Sequence, residues 1–415
     1  MEEKKTFFTP IRLLVLTYWA GWGFAALDRI LVSVLFPYIA TDFNLDYALM
    51  GTIMSAMTLG SIIFYFIGGG VSDKYGRTKV ILPAIAVFSL FSFLTGIARN
   101  FIQLVVVRFV VGGAEGAYII PAITQVSEES PPEQKGLNVG FVQMAMPLFS
   151  MFVAPLYGTQ IASRFGWHMA FYLTIIPGLI VLWIVSRQIR ARKKLDMAQP
   201  PKPPKDEYPW KELFKNKDYF VLVAVSLLWM IWLWTWLSFG SVYFTDVRKV
   251  SPEFAGVMLT ALGVGGTLGS VLLPGLSDSW GRKPALLLGM GLAFAGSTLV
   301  LSMPDSYVVI WILMAISAFG GWGTAPIFMG TMTTEIVPPE GGGKAYGSIT
   351  GFGELVGACG GPIVVGMFSN AYGLGSGMWF APVGALLAGI CCLLVKETAP
   401  KALAKKAAKA AGAGN

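Results

Sequence analysis

Long apolar stretches recur along the chain, each separated from the next by a short polar or charged segment. They are long enough to cross a bilayer core of roughly 30 Å as helices, and they lack the two-residue alternation of a barrel strand. Helices are favoured because backbone polar groups in lipid must be satisfied within the segment. The pattern predicts twelve spans, at residues 11–36, 48–70, 80–98, 101–127, 137–162, 168–187, 219–244, 254–276, 284–302, 307–334, 345–369 and 378–395.

The composition agrees with an all-α membrane protein. Hydrophobic residues make up 55% of the 415 positions and charged residues 13%, against roughly 25% charged in a soluble domain. No cleavable signal peptide is expected before the first span. Of the 31 lysines and arginines, about 25 lie on the side shared by both termini, which the positive-inside rule places in the cytoplasm. This asymmetry explains the net charge of +8 without a nucleic-acid partner.

Cysteine and histidine are scarce. Three cysteines in the last two spans and one histidine give neither a metal-ligand spacing nor a disulfide framework. Nothing resembles a clustered catalytic arrangement either. We therefore expect no enzyme activity, no metal and no cofactor.

The chain divides into two halves. A charged, proline-rich segment at 187–218 reads as a cytoplasmic linker with one amphipathic helix near Trp210–Phe214. The predicted organisation is an N-terminal six-helix bundle at 1–186, this linker, a C-terminal six-helix bundle at 219–397 and a cytoplasmic tail at 398–415.

A short motif occurs once in each half. GGVSDKYGRTK, at 69–79, follows the second span, and PGLSDSWGRKP, at 274–284, follows the eighth. The G-x-x-x-D-x-x-G-R pattern resembles the loop signature of the major facilitator superfamily, although Pro274 stands where a glycine is usual. The resemblance implies two pseudo-symmetric six-helix bundles, a substrate site between them and alternating access. The candidate gating-loop residues are Asp73, Gly76, Arg77, Asp278 and Arg282; the alternative is that these charges only mark a tight turn and set the topology.

Five ionisable residues lie well inside predicted spans: Asp28, Arg29, Arg108, Glu115 and Glu354. Each costs a few kcal/mol unless it is paired or hydrated, so each is a functional hypothesis, with an inert structural ion pair as the alternative. Arg108 and Glu115 are seven residues apart and share a helix face, whereas Asp28 and Arg29 point about 100° apart. We expect one of the adjacent pair to meet a neighbouring helix and the other to face a central cavity.

The Asp28–Arg29 pair in the first span, together with R-x₃-G-x-x-E at 108–115 in the fourth, resembles the anion:cation symporter family. That family includes bacterial sugar-acid/proton symporters and sialin-like carriers. The resemblance implies that Arg29 holds the substrate carboxylate, that Asp28 and Glu115 carry protons, and that Arg108 supports the site. These roles suit the chemistry, because arginine offers a planar fork to a carboxylate and a buried acid binds a proton more readily.

Further candidates for substrate contact are polar or aromatic residues inside spans. Trp232 and Trp236 lie on one face of the seventh span, as a cavity wall or as lipid-facing residues. Tyr118 and Gln143 are candidate hydrogen-bonding residues, although a lone polar residue in a span often bonds a neighbouring helix instead. Glu354 is open between a protonated acid, a contact for substrate hydroxyl or amino groups, and a packing position in a glycine-rich ridge.

The function predicted from these features is proton-coupled symport of a small organic anion, a sugar acid or another carboxylate, by alternating access. The alternative is a proton-coupled exporter or antiporter of drugs or metabolites, which Glu354 and the tryptophan-rich seventh span would suit. We expect a monomer in the lipid bilayer of the cell (inner) membrane, with protons as the coupling ion.

Overall fold

The computed structural model describes residues 10–130, 135–193, 208–303, 306–338, 341–399 and 402–403. Across these residues the chain is helical, with short turns and no strand. Eleven helices are long and apolar enough to cross a membrane, and a bent pair of helices brings the number to twelve. The all-α fold predicted from the hydrophobic pattern is confirmed.

The spans, numbered in chain order, are Ile11–Val34 with Phe36–Phe43 (span 1), Tyr47–Tyr65 (2), Arg77–Thr95 (3), Phe101–Val126 (4), Gly140–Phe165 (5), Trp167–Gln188 (6), Lys217–Val247 (7), Pro252–Trp280 (8), Arg282–Ser302 (9), Tyr307–Glu335 (10), Lys344–Tyr372 (11) and Leu374–Cys392 (12).

Two spans are less regular than a continuous apolar stretch suggests. Span 1 bends by 53° after Val34, and the second helix of the pair has Pro37 in its first turn, where a proline is tolerated. In span 5, a π-helical turn at Phe149–Val153 separates the α-helices on either side. Pro147 and Pro155 flank this turn, and each lacks the N–H that a regular helix would use.

The chain forms two compact units. Unit 1 comprises residues 1–32 and 56–201, and unit 2 comprises residues 33–55 and 202–415. The break at residue 201 falls inside the predicted linker, 187–218, of which 194–207 lies outside the described residues. The predicted surface helix of the linker is present as one turn, Trp210–Leu213.

Backbone contact between spans 2 and 4 organises unit 1. A Cβ atom on Gly112 would lie 1.9 Å from the Met57 carbonyl oxygen, and one on Gly116 would lie 2.4 Å from the Ser61 carbonyl oxygen. Only a residue without a side chain permits such an approach, as is common where membrane helices pack. This packing brings the charged residues of span 4 close to span 2.

In unit 2, the C-terminal part of span 1 and the start of span 2 are hydrogen-bonded to later helices. The Tyr38 hydroxyl donates to the Glu253 carboxylate at 2.9 Å, and the Tyr47 hydroxyl donates to the Asp246 carboxylate at 3.0 Å. The Ser241 hydroxyl donates to the Val34 carbonyl oxygen at 2.8 Å. Segment 33–55 is therefore fixed to spans 7 and 8 by specific polar contacts.

We expect the Tyr38–Glu253 bond to be energetically coupled. A double-mutant cycle with Tyr38→Phe and Glu253→Gln should give an interaction energy of about 1 kcal/mol, since a part-buried bond to a carboxylate is worth somewhat more than a neutral one. The measurement is unfolding of the purified protein in denaturant. Strict additivity of the two substitutions would show that the contact contributes nothing.

Candidate substrate and proton site

A buried ion pair joins span 1 to span 4 in unit 1. Arg108 Nη1 lies 2.8 Å from Asp28 Oδ2, and both side chains are 1% exposed. Arg108 Nη2 donates to the Asp28 carbonyl oxygen at 2.9 Å and contacts Met57 Sδ at 2.8 Å. The Ser92 hydroxyl donates to the other Asp28 carboxylate oxygen. Both charges are thus compensated inside the protein.

Arg29 points to span 2 instead. Its guanidinium donates to the Ser61 hydroxyl at 3.3 Å and to the Tyr65 hydroxyl at 3.4 Å, and the residue is 2% exposed. These distances exceed the 2.7–2.9 Å or so of a bond between an arginine and a carboxylate. The two neighbours Asp28 and Arg29 therefore diverge as their helical positions predict, one to span 4 and the other to span 2.

Glu115 is a buried acid of span 4 whose carboxylate makes no hydrogen bond to the described residues. The residue is 1% exposed. The charges that act on it most strongly are those of Arg29, Asp28 and Arg108. An ionised carboxylate in such surroundings lacks donors to replace its lost hydration, so the geometry suits an acid that gains and loses a proton.

Two other candidates of unit 1, Tyr118 and Gln143, differ in their burial and contacts. Tyr118 is fully buried, and its hydroxyl donates to the Tyr18 carbonyl oxygen at 3.1 Å. Gln143 is part-exposed at the end of the helix Lys135–Gln143. Tyr118 therefore has its hydroxyl proton engaged within the helix packing, whereas Gln143 keeps an accessible amide.

Sequence analysis missed several residues that the structure brings to the charged cluster. Ser61 and Tyr65 contact Arg29, Ser92 contacts Asp28, and Met57 contacts Arg108. Ser61 and Tyr65 are four residues apart in an apolar span, so they form one polar face of that helix. That spacing was the signal available; nothing in the sequence pointed to Ser92 or Met57.

The predicted tryptophan stripe lies inside unit 2. Trp232 and Trp236 are 1% and 2% exposed, and both indole N–H groups donate to the Ser297 hydroxyl at 3.1 Å. The Trp232 ring lies against the backbone of Gly321. These contacts join span 7 to spans 9 and 10, and a substrate contact by either ring stays a prediction.

Glu354 stands at the start of a π-helical turn, Glu354–Gly360, in span 11. Its side chain is part-buried. The neighbouring glycines do pack closely, because a Cβ on Gly357 would lie 2.3 Å from the Met230 side chain. The role of Glu354 in binding stays a prediction.

In the loop motif of the second half, Arg282 forms ion pairs with two acidic side chains. Arg282 bonds Asp278 at 2.6 Å and Glu335, at the end of span 10, at 3.0 Å. Gly281 has φ = +112°, a conformation that favours glycine, and its N–H donates to the Ser277 carbonyl oxygen at 3.0 Å. Arg282 thus joins the loop to the end of span 10 through Glu335.

In the first half, Gly76 has the matching positive φ of +99° and Arg77 donates to the Ser72 hydroxyl at 3.0 Å. Asp73 lies on the helix Tyr47–Tyr75, but its side chain lies outside the described residues. The shared backbone geometry at Gly76 and Gly281 shows that the motif forms the same turn in both halves. Gating by either copy stays a prediction.

Relatives of known function are transporters of organic acids. The chain is 26% identical to the sialic acid transporter NanX of Escherichia coli over 402 residues, covering 90% of this chain and 91% of the relative. It is 27% identical to the 3-(3-hydroxy-phenyl)propionate transporter of the same bacterium over 377 residues, covering 86% and 87%.

The fold is likewise that of a transporter. The structure resembles the crystal structure of a D-xylose-proton symporter with a TM-score of 0.77, at 17% identity, covering 95% of this chain and 99% of the other. The sequence matches the model of the Major Facilitator Superfamily over residues 18–361 and 248–414. The chain therefore belongs to the Major Facilitator Superfamily, and it is a membrane transporter rather than an enzyme.

Proposed function

We propose that the protein is a proton-coupled symporter of a small organic acid, with Arg29 as the carboxylate site and Glu115 as the coupling acid. The observation that carries the proposal is the uncompensated, buried Glu115 carboxyl beside the cationic Arg29. The relatives that transport organic acids support the substrate class. The protein acts as a monomer in the cell membrane, with both termini in the cytoplasm and no cofactor besides the proton.

The division of roles follows from the contacts. Arg108 is engaged by Asp28 through short bonds, whereas Arg29 donates to two hydroxyls at long distances. A substrate carboxylate would have to break a buried ion pair to reach Arg108, and we therefore assign the carboxylate to Arg29. A proton-carrying role for Asp28 stays a prediction, and the coupling proposed here is assigned to Glu115.

The coupling step needs a change in the charge balance around Arg29. When Glu115 is protonated, Arg29 has no competing anion on span 4 and binds the substrate carboxylate. When Glu115 loses its proton, its negative charge competes for the same guanidinium and favours release. Proton and anion then travel together, because each stabilises the other's binding.

The test is substrate-driven proton movement with Glu115→Gln. In proteoliposomes loaded with a pH dye, a transported acid should acidify the lumen of wild-type vesicles, after subtraction of passive entry into protein-free vesicles. Glu115→Gln should abolish this acidification and retain exchange of labelled substrate, because both Glu115 oxygens lack hydrogen bonds that an amide would lose. The probes are glucuronate, sialic acid and 3-(3-hydroxyphenyl)propionate.

The matched control is Glu212→Gln, which changes an exposed glutamate on the helix Trp210–Leu213. It should behave as wild type. Undiminished acidification by Glu115→Gln would rule out Glu115 as the coupling residue. A rise in the pH of the vesicle lumen on substrate entry would indicate antiport, the alternative function.

A further inference from the structure

The face of span 1 below Arg29 carries a buried tryptophan. Trp22 and Arg29 are seven residues apart and lie on one face of the helix Pro10–Val34, about 10 Å apart along its axis. Long side chains in a helix lean toward its N-terminus, so the Arg29 guanidinium reaches toward the level of Trp22. Tyr65, which accepts from Arg29, packs against the same apolar cluster that contains Trp22.

The indole N–H of Trp22 has no acceptor among the described residues, although the residue is 6% exposed. The same is true of the Trp19 indole, whose ring packs against Phe141 and Phe149 at centroid distances of 5.8 and 5.2 Å. A buried tryptophan usually donates its N–H, as Trp229 does to the Gly321 carbonyl oxygen. Two indole N–H groups on one helix therefore lack an acceptor among the described residues, and a ligand oxygen beside Trp22 would satisfy one of them.

Trp22 belongs to a hydrophobic cluster of unit 1. The cluster around Trp22 consists of apolar and aromatic side chains, including Phe88 and Ile85. The hydroxyl of Tyr18 donates to Gln125, and that of Tyr118 donates to a backbone carbonyl. A polyhydroxylated sugar would leave polar groups unsatisfied against these residues, whereas a flat ring would bury apolar area.

We infer that unit 1 selects a planar aromatic carboxylate that carries a hydroxyl or carbonyl oxygen on its ring. Its carboxylate pairs with Arg29, its ring packs beside Trp22 and Tyr65, and its ring oxygen accepts from the Trp22 indole. This inference rests on the proposed function, because it uses Arg29 as the anion site. Trp22 is the specificity-determining residue.

The test measures binding to the detergent-purified protein by thermal shift, with dissociation constants from titration. The probes are 3-phenylpropionate, 3-(3-hydroxyphenyl)propionate and glucuronate. The wild type should bind the two aromatic acids more tightly than glucuronate. Trp22→Phe keeps a ring but removes the donor, so it should weaken the hydroxylated acid by about 5- to 10-fold and the unsubstituted acid by less than about 2-fold.

The matched control is Trp183→Phe, which changes an exposed tryptophan on span 6 and should leave all three affinities unchanged. The melting point of ligand-free Trp22→Phe verifies folding. If this variant is unstable, the wild type provides the test: it should bind 3-(3-hydroxyphenyl)propionate more tightly than 3-phenylpropionate, and equal dissociation constants for the two acids overturn the inference.

The outcomes separate this inference from the proposed function. Tighter binding of glucuronate than of the aromatic acids overturns the aromatic selectivity, and an equal loss of both aromatic acids in Trp22→Phe overturns the role of the Trp22 donor. Either result leaves an Arg29-dependent acid transporter. Binding of any of these acids that is unchanged in Arg29→Ala overturns both.

Discussion

Arg29→Ala is expected to lower the affinity for a transported carboxylate on the order of 100-fold and to stop uptake at ordinary substrate concentrations. The substitution removes the cation that the proposed site offers to the substrate, and losing one partner of a buried charge pair costs roughly 2–5 kcal/mol. Arg29→Lys should recover only part of the affinity, since a lysine lacks the planar fork that matches a carboxylate. Uptake and thermal-shift titration of the same acids measure both effects.

The matched control is Arg164→Ala, because Arg164 is exposed at the end of span 5 and carries the same charge. It should leave affinity unchanged. Folding of Arg29→Ala is verified by its melting point without ligand. Retained carboxylate binding in a folded Arg29→Ala protein would remove Arg29 from the site and would favour efflux of cations or apolar compounds.

The second large effect concerns stability. Arg108→Gln is expected to lower the free energy of unfolding by about 3–5 kcal/mol, because it leaves the Asp28 carboxylate buried without its cation. Asp28→Asn should have a similar effect through the stranded guanidinium. The double variant should cost less than the sum of the two, since neither unpaired charge remains. Denaturant unfolding of the purified variants measures all three.

An exposed ion pair provides the comparison. Lys215 and Glu212 lie 2.6 Å apart with side chains 61% and 48% exposed, so Lys215→Gln should cost less than about 1 kcal/mol. If Arg108→Gln were no more destabilising than Lys215→Gln, the Asp28–Arg108 pair would not be a dry ion pair. The pair would then be open to water or to substrate, and Arg108 would regain the binding role that the sequence suggested.

Much of the fold was predictable because lipid imposes one strong constraint. Each span must satisfy its backbone hydrogen bonds within the helix and expose apolar side chains to lipid. The hydropathy of about twenty residues therefore predicts its position. Departures from regular helix geometry, such as bends and π-helical turns, are harder to predict from the sequence. The sequence shows Pro37 and Pro147. Span 1 bends near the first, after Val34, and a π-helical turn at Phe149 follows the second. Which of these outcomes a proline produces depends on the helices packed around it.

The candidate site was predictable in its members but not in its partners. Charges are so costly in a membrane that Asp28, Arg29, Arg108 and Glu115 stood out by position alone. The sequence could not say that Asp28 pairs with Arg108, eighty residues away, rather than with its neighbour. Likewise, the spacing of Trp232 and Trp236 could not show that the Ser297 hydroxyl accepts from both indole N–H groups.

The sequence by itself determined that this is a twelve-span transporter with a duplicated loop motif and a few ionisable residues inside its apolar spans. These properties follow from short-range rules: helix length, charge cost and glycine at a turn. Only the tertiary structure decided that Asp28 pairs with Arg108 and that the Glu115 carboxylate has no hydrogen-bond donor among the described residues. Those outcomes depend on how closely helices approach, at Gly112 and Gly116 for instance, and helix approach is a property of surfaces far apart in the chain.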